Sequence, residues 1–180
     1  MKKIIALVLI LCSLLTLTAC DAETMKVITD SIGAITKIAS GGNKYEYANC
    51  TLVIRDSAGV ITPEEEEALV SKLTTYCSQI DCDVLIMSTD EIGLSSLSPG
   101  ESYGKAYLPK DTENWISISF DKTRMVYHIG YEGDLVYKAL TESELDKALN
   151  LGYGPLNKGQ YAKAFEVMAE FCLKEIAKQK

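Results

Sequence analysis

The chain has 180 residues, 47% of them apolar, with 18 Lys or Arg against 25 Asp or Glu and a net charge of −7. That length suits one domain with something appended. The acidic balance excludes a nucleic-acid partner, which needs clustered Lys and Arg to displace phosphate counterions.

The apolar residues are unevenly spread. Residues 4–19 are almost wholly apolar and carry no charge, behind Lys2 and Lys3. Two lysines, a short apolar run and small residues before a break have the layout of a secretory signal. The run is short for a membrane span, which takes about 20 residues. Leu17-Thr18-Ala19-Cys20 resembles the lipobox of bacterial lipoproteins. The resemblance implies cleavage before Cys20 and a diacylglyceryl group on its sulfur. Two or more acyl chains, at about 0.8 kcal/mol per buried methylene, hold a protein stably on a membrane. The expected organisation is a signal over 1–19, a lipidated and partly helical tether over 20–44, and a domain over 45–180. Loss of the signal leaves 161 residues with 16 basic and 25 acidic side chains, a net charge of −9. That length buries a core without help from a metal.

In the tether, Met25, Ile28, Ile32 and Ile35 recur at helical spacing before Gly41-Gly42-Asn43. The domain reads as beginning near Tyr45. Thr51–Arg55 reads as a buried strand, and Gly59 marks a turn. In Thr62-Pro63-Glu64-Glu65, Thr62 suits a helix N-cap, Pro63 the first helical position and Glu65 the return half of a capping box. Glu64–Glu67 favour the positive end of the helix dipole and read as solvated charge rather than metal ligands. Leu69, Leu73, Tyr76, Cys77 and Ile80 form the apolar face of this helix. Asp83–Ser88 is a continuous apolar run and reads as a central strand.

Residues 89–114, with Pro99, Gly100, Gly104 and Pro109, read as a long loop holding at most a short helix. Trp115–Phe120 and Arg124–Ile129 alternate and make a hairpin, with Met125, Tyr127 and Ile129 on one face. Residues 130–134 read as a tight loop. Thr141 and Glu144 form a second capping box, Gly152 stops that helix, and a last helix over about 160–178 buries Ala164, Phe165, Met168, Phe171 and Ile176. The expected fold is α/β, one small mixed sheet with helices on both faces.

Outside the cytoplasm, an even number of cysteines permits disulfides. Four remain after Cys12 and Cys20: Cys50, Cys77, Cys82 and Cys172. Cys77 with Cys82 is an easy local bridge, which leaves Cys50 with Cys172. Four buried thiols are the alternative. No spacing fits a zinc site.

Phosphate-loop, dinucleotide, HExxH and GxSxG motifs are absent. His128 is the only His and reads as structural. What remains is carboxylates at strand ends, where open α/β sheets bind ligands. Asp56 ends the first strand, Asp90 and Glu91 follow the second, and Asp121 follows the third. Asp56, Asp90 and Glu91 are the candidate ligands of a hard cation such as calcium, against the plainer reading that each acid caps a turn.

Residues 53–66, from Val53-Ile54-Arg55-Asp56-Ser57-Ala58-Gly59 to Thr62-Pro63-Glu64-Glu65-Glu66, resemble the opening block of the TPM-domain family. Asp83–Thr89 resembles its second strand, Arg124–Gly130 its Arg-containing strand, and Lys158-Gly159-Gln160-Tyr161 its step into the final helix. The resemblance implies a Rossmann-like three-layer α/β/α sandwich outside the cytoplasm, often membrane-anchored. It also implies acid phosphatases, calcium binders or accessory factors of membrane complexes as relatives. Asp56 matches the family's opening Asp, and Arg124 its strand Arg, a candidate phosphate or ligand contact. Glu113-Asn114-Trp115 departs from the family's Asp-x-Gly, and Pro99, Gly100 and Pro109 degrade a helix usual in the family.

The expectation is a lipid-anchored extracytoplasmic lipoprotein. Its domain binds or assists at the envelope rather than turning over substrate, with calcium the one candidate cofactor. Its partners are the membrane, through lipidated Cys20, and an envelope or membrane protein complex. The alternative is a metal-dependent acid phosphatase.

Overall fold

The computed structural model describes residues 42–90 and 99–179. The expected signal, the lipidation site Cys20, nearly all of the tether and Glu91 lie outside the described residues. Among the described residues no helix is long and apolar enough to cross a membrane.

Five strands form one sheet: β1 (Asn43–Glu46), β2 (Thr51–Asp56), β3 (Asp83–Thr89), β4 (Trp115–Asp121) and β5 (Val126–Glu132). They lie in sequence order. β2, β3 and β4 are parallel, while β1 and β5 pair antiparallel at the two edges. Among the described residues five helices flank them: α1 (Pro63–Cys77), α2 (Pro99–Tyr107), α3 (Asp134–Ala139), α4 (Glu142–Leu156) and α5 (Tyr161–Ala177). The chain is thus an α/β protein with a mixed five-stranded sheet flanked by helices.

Alternation along the strands divides the core. Leu52, Ile54, Val84, Ile86, Ile116, Ile118 and Phe120 face one way, onto Leu69 and Leu73 of α1 and Phe165, Met168 and Leu173 of α5. Val53, Leu85, Met87 and Trp115 face the other way and meet Tyr103 and Leu108. Each fully buried side chain of this size contributes about 1.5–3 kcal/mol. The strand order advances in one direction while the covering helix changes face, from α1 to α2. The two crossovers therefore have opposite hands, against the strong preference for right-handed connections.

Several local readings need correction. The edge strand β1 precedes the expected start of the domain. It is anchored by Glu66, which is buried and accepts from the Tyr45 hydroxyl at 2.9 Å and from the Asn43 amide. Glu66 is therefore an internal acceptor, although Glu64, Glu65 and Glu67 are exposed as expected. The capping box at Thr62 is complete, whereas at Thr141 only the half accepting from Glu144 N–H forms.

α4 does not stop at Gly152. A Cβ there would lie 2.5 Å from Met168 Sδ, so Gly152 lets α4 press onto α5, and the helix runs on to Leu156. Residues 130–134 are not a loop, because β5 continues to Glu132 and α3 begins at Asp134. Gly133 makes that junction at φ +106°, where a Cβ would also strike Glu113 O at 2.3 Å. Asn114 Oδ1 accepts from Leu135 N–H at 3.1 Å and supplies the cap that Gly133 lacks.

α2, nine residues long, is the short helix that the reading of 89–114 allowed. Its seat is a large–small pair: a Cβ at Gly104 would lie 2.1 Å from Trp115 Cζ3. The guanidinium of Arg55 stands 4.1 Å over the Tyr107 ring and holds the helix end. Trp115 is the only tryptophan, so its emission reports α2 docking directly. Gly104→Ala gains about 1 kcal/mol of helix propensity but overpacks against the indole at a cost of about 1–3 kcal/mol. The expected outcome is a red-shifted emission and a lower unfolding midpoint; unchanged emission with a higher midpoint would show that α2 does not rest on Trp115.

Candidate functional site

The carboxyl ends of β2, β3 and β4 meet at one edge, as the parallel pairing requires. Asp56 ends β2 and turns its carboxylate into the following loop. Oδ1 accepts from Val60 N–H at 3.0 Å and Oδ2 from Ile61 N–H at 2.8 Å. The Ser88 hydroxyl, at the end of β3, donates to Oδ1 and accepts from Ala58 N–H at 3.1 Å. Ser57 N–H reaches Ser88 O at 3.1 Å. Just after β4, Lys122 Nζ donates to Ala58 O at 2.9 Å and Lys122 N–H to Thr89 O at 2.8 Å. Asp56 thus organises the loop that delivers the chain to Thr62 and α1.

Asp121 is buried, and its carboxylate closes the β4–β5 turn by accepting from Arg124 N–H at 2.9 Å. Asp121 pairs with Val126, so Lys122–Met125 form a four-residue turn. Arg124 therefore stands in the turn, not on the strand. Met125, at φ +56°, leaves the apolar face to Tyr127, Ile129 and Tyr131. The Arg124 side chain is 50% exposed, with Nε 3.6 Å from Asp121 Oδ2.

His128 lies on the opposite face to Tyr127 and directly across from Ser119. Burial is the main influence lowering its pKa; the Asp121 charge opposes this and the Arg124 charge adds to it. Ser119, His128 and Asp121 thus come together, a juxtaposition legible only from the hairpin register. They do not form a nucleophile and base. Ser119 Oγ donates to the His128 carbonyl at 3.5 Å, and His128 Nε2 is buried with no hydrogen-bond partner among the described residues.

Of the proposed cation ligands, Asp56 is committed to the loop. Asp90 is exposed, and its carbonyl accepts from Thr123 Oγ1 at 2.8 Å. Glu91 lies outside the described residues. Among the described residues no three His, Cys, Asp or Glu side chains converge as metal ligands.

The four cysteines are buried free thiols, with neither Cys77–Cys82 nor Cys50–Cys172 bridged. Two open grooves lie at the amino ends of the parallel strands. One is lined by Lys105, Trp115, Glu132 and Lys138, the other by Glu46, Tyr47, Cys50, Asp83 and Glu113.

No protein-family model matches the sequence, and no curated protein matches it. Solved structures do share its fold. BA42 from the psychrophilic bacterium Bizionia argentinensis aligns with a TM-score of 0.58 at 14% identity, over 66% of this chain and 83% of that one. The N-terminal domain of a P. gingivalis protein aligns at 0.56 and 14% identity, over 68% and 80%. The N-terminal domain of cg2496 from Corynebacterium glutamicum aligns at 0.51 and 15% identity, over 67% and 77%. At such identities the likeness is one of fold.

His128 gives this edge a pH dependence whose sign is fixed. Its folded pKa lies below the ordinary value of 6.5, so the unfolded chain takes up the proton first. The stability it contributes is whole above about 6.5 and is lost as pH falls from there toward the folded value. Unfolding midpoints of wild type and His128→Gln between pH 5 and 7.5 should show a steeper acid loss in wild type. Parallel profiles would mean that His128 is equally accessible to protons in both states.

Proposed function

We propose that the chain is a lipid-anchored extracytoplasmic lipoprotein, and a divergent member of the TPM-domain family, whose domain is a non-catalytic binding or accessory module. The observation that carries this reading is the use made of the strand-end carboxylates. Asp56 spends both oxygens on loop amides and Asp121 closes a turn, and Ser119 is not bonded to the His128 ring. A turnover site needs a nucleophile within reach of a base and donors aimed at the reacting atom. The three fold neighbours support the TPM reading at the level of architecture. The expected signal and Leu17-Thr18-Ala19-Cys20 support the anchor, with an envelope or membrane protein complex as the partner class.

Calcium is a separable part of the proposal. It would be held at the edge of Asp56 and Asp90, with Glu91, through carboxylate lone pairs left over from the loop. Metal-dependent phosphatase activity is the second reading. It is favoured by Arg124 and Lys122, which stand exposed at the same edge and offer cations to a phosphoryl group.

Both levels are open to test on the full chain. Cys20→Ala should move the protein from the membrane to the soluble fraction. The purified wild type should release no phosphate from a generic aryl ester with calcium, magnesium or manganese from pH 4.5 to 7.5. Unaltered membrane association of Cys20→Ala contradicts the anchor. Turnover that is lost in Arg124→Ala contradicts the non-catalytic reading and establishes the phosphatase.

A further inference from the structure

The two edges of the sheet are finished differently. β1 is four residues long and carries Lys44 paired with Glu46, features that discourage a further strand. β5 is seven residues long and contains neither Lys nor Pro.

The ladder decides which backbone groups of β5 point off the sheet. Asp83 N–H donates to Asn114 O at 2.9 Å, and Lys122 N–H to Thr89 O at 2.8 Å. Backbone groups alternate sides along a strand, so Trp115, Ser117, Ser119 and Asp121 turn theirs toward β5. Their register partners Glu132, Gly130, His128 and Val126 turn theirs back toward β4. The N–H and C=O of Tyr127, Ile129 and Tyr131 therefore point outward, and among the described residues they have no hydrogen-bond partner. Two large apolar side chains also lie exposed beside this edge. Met125 ends the turn before β5, and Tyr137 packs edge-on against Tyr131 with ring centroids 5.5 Å apart.

We propose that β5 pairs with β5 of a second copy of this chain, antiparallel and centred on Ile129. That register sets Ile129 against Ile129 and Tyr127 against Tyr131. Residues opposed in this way exchange both of their hydrogen bonds, so every outward N–H meets an outward C=O. Sliding the copies by two residues sets Tyr131 against Met125, or Tyr127 against Gly133, both outside the strand. The centred register is thus the one that satisfies the whole edge.

Charge and apolar surface select the same occupant. The register carries Arg124 of each copy toward Asp134 of the other, and both are exposed and of opposite sign. It also brings Met125 to the Gly133 end of the other copy, where Tyr137 stands on Tyr131. An unrelated strand would supply neither match. The pairing does not rest on the anchor or on the binding role proposed above.

The register is tested by cross-linking. Val126 and Glu132 turn their backbone groups toward β4, so across the axis they oppose each other as a non-hydrogen-bonded pair. Their Cα atoms then lie ~4.5 Å apart, within disulfide reach. Full-length Val126→Cys and Glu132→Cys are prepared separately, mixed in detergent, oxidised with oxidised glutathione and cut with an Asp-specific protease. Cleavage before Asp121 and Asp134 puts either substitution in peptide 121–133, and the two forms differ in mass. The expected product is the mixed link, one peptide of each form, almost alone. Ile129→Pro, which removes an outward N–H and leaves the β4 ladder intact, should suppress it with Trp115 emission unchanged. Arg124→Asp should lower its yield several-fold, and adding Asp134→Arg should restore it.

Mixed links no more abundant than the two like links together, the ratio that random association through residues 4–19 gives, would overturn the register. Absence of the mixed link would overturn the pairing itself. So would a mixed link that persists in Ile129→Pro with unchanged emission. If the proline variant loses its native emission, the mixed-to-like ratio and the charge exchange decide the matter without it.

Discussion

The carboxylate of Asp56 is the constraint on which the carboxyl edge depends. It stands at the last residue of β2, where the chain must leave the sheet, turn and enter α1 at Thr62. Two loop amides and the Ser88 hydroxyl converge on it, so one side chain joins β2, its following loop and the end of β3. Lys122 adds β4 by donating to Ala58 O within that loop. A buried amide left without its acceptor costs about 1–3 kcal/mol, so several polar groups fail together if Asp56 is removed. The same geometry that makes Asp56 look like a ligand makes it a turn residue first.

The two faces of the sheet are held differently. One carries a continuous apolar core under α1 and α5, reinforced by Phe120, Tyr127, Tyr161 and Phe165 in mutual aromatic contact. The other has a small core at its amino half, where α2 sits on Trp115 through Gly104. Toward the carboxyl half this second face becomes polar, with buried Thr89, Ser117, Ser119 and Asp121. His128 lies among them across from Ser119. Such a face holds the β4–β5 turn in fixed geometry through Asp121.

Much of this was legible in the sequence, for identifiable reasons. The continuous runs at Thr51–Arg55 and Asp83–Ser88 mark two of the three parallel strands, and Thr62-Pro63-Glu64-Glu65 marks the start of α1. What escaped was set by contacts distant in sequence. Glu66 reads as helix-start charge until Tyr45 and Asn43 of a short edge strand are placed beside it. Gly152 reads as a stop until Met168 occupies the space its missing side chain leaves. Gly104 reads as a loop residue until Trp115 is set beneath it. At the edge, the acids offered either a cation site or turn caps, and for Asp56 the amides of Val60 and Ile61 bear out the cap.

The most direct test is thermal unfolding of the full chain, wild type against Asp56→Ala and Asp90→Ala, each in EDTA and in calcium. If Asp56 is first a loop cap, Asp56→Ala loses about 1–3 kcal/mol, several degrees, already in EDTA. Asp90→Ala, which removes only an exposed carboxylate, then melts with wild type in EDTA. A calcium shift in wild type that Asp90→Ala abolishes adds a cation to the same edge without altering that order. The contrary result is Asp56→Ala melting with wild type in EDTA and falling behind only in calcium, which would make the carboxylate a ligand before it is a cap.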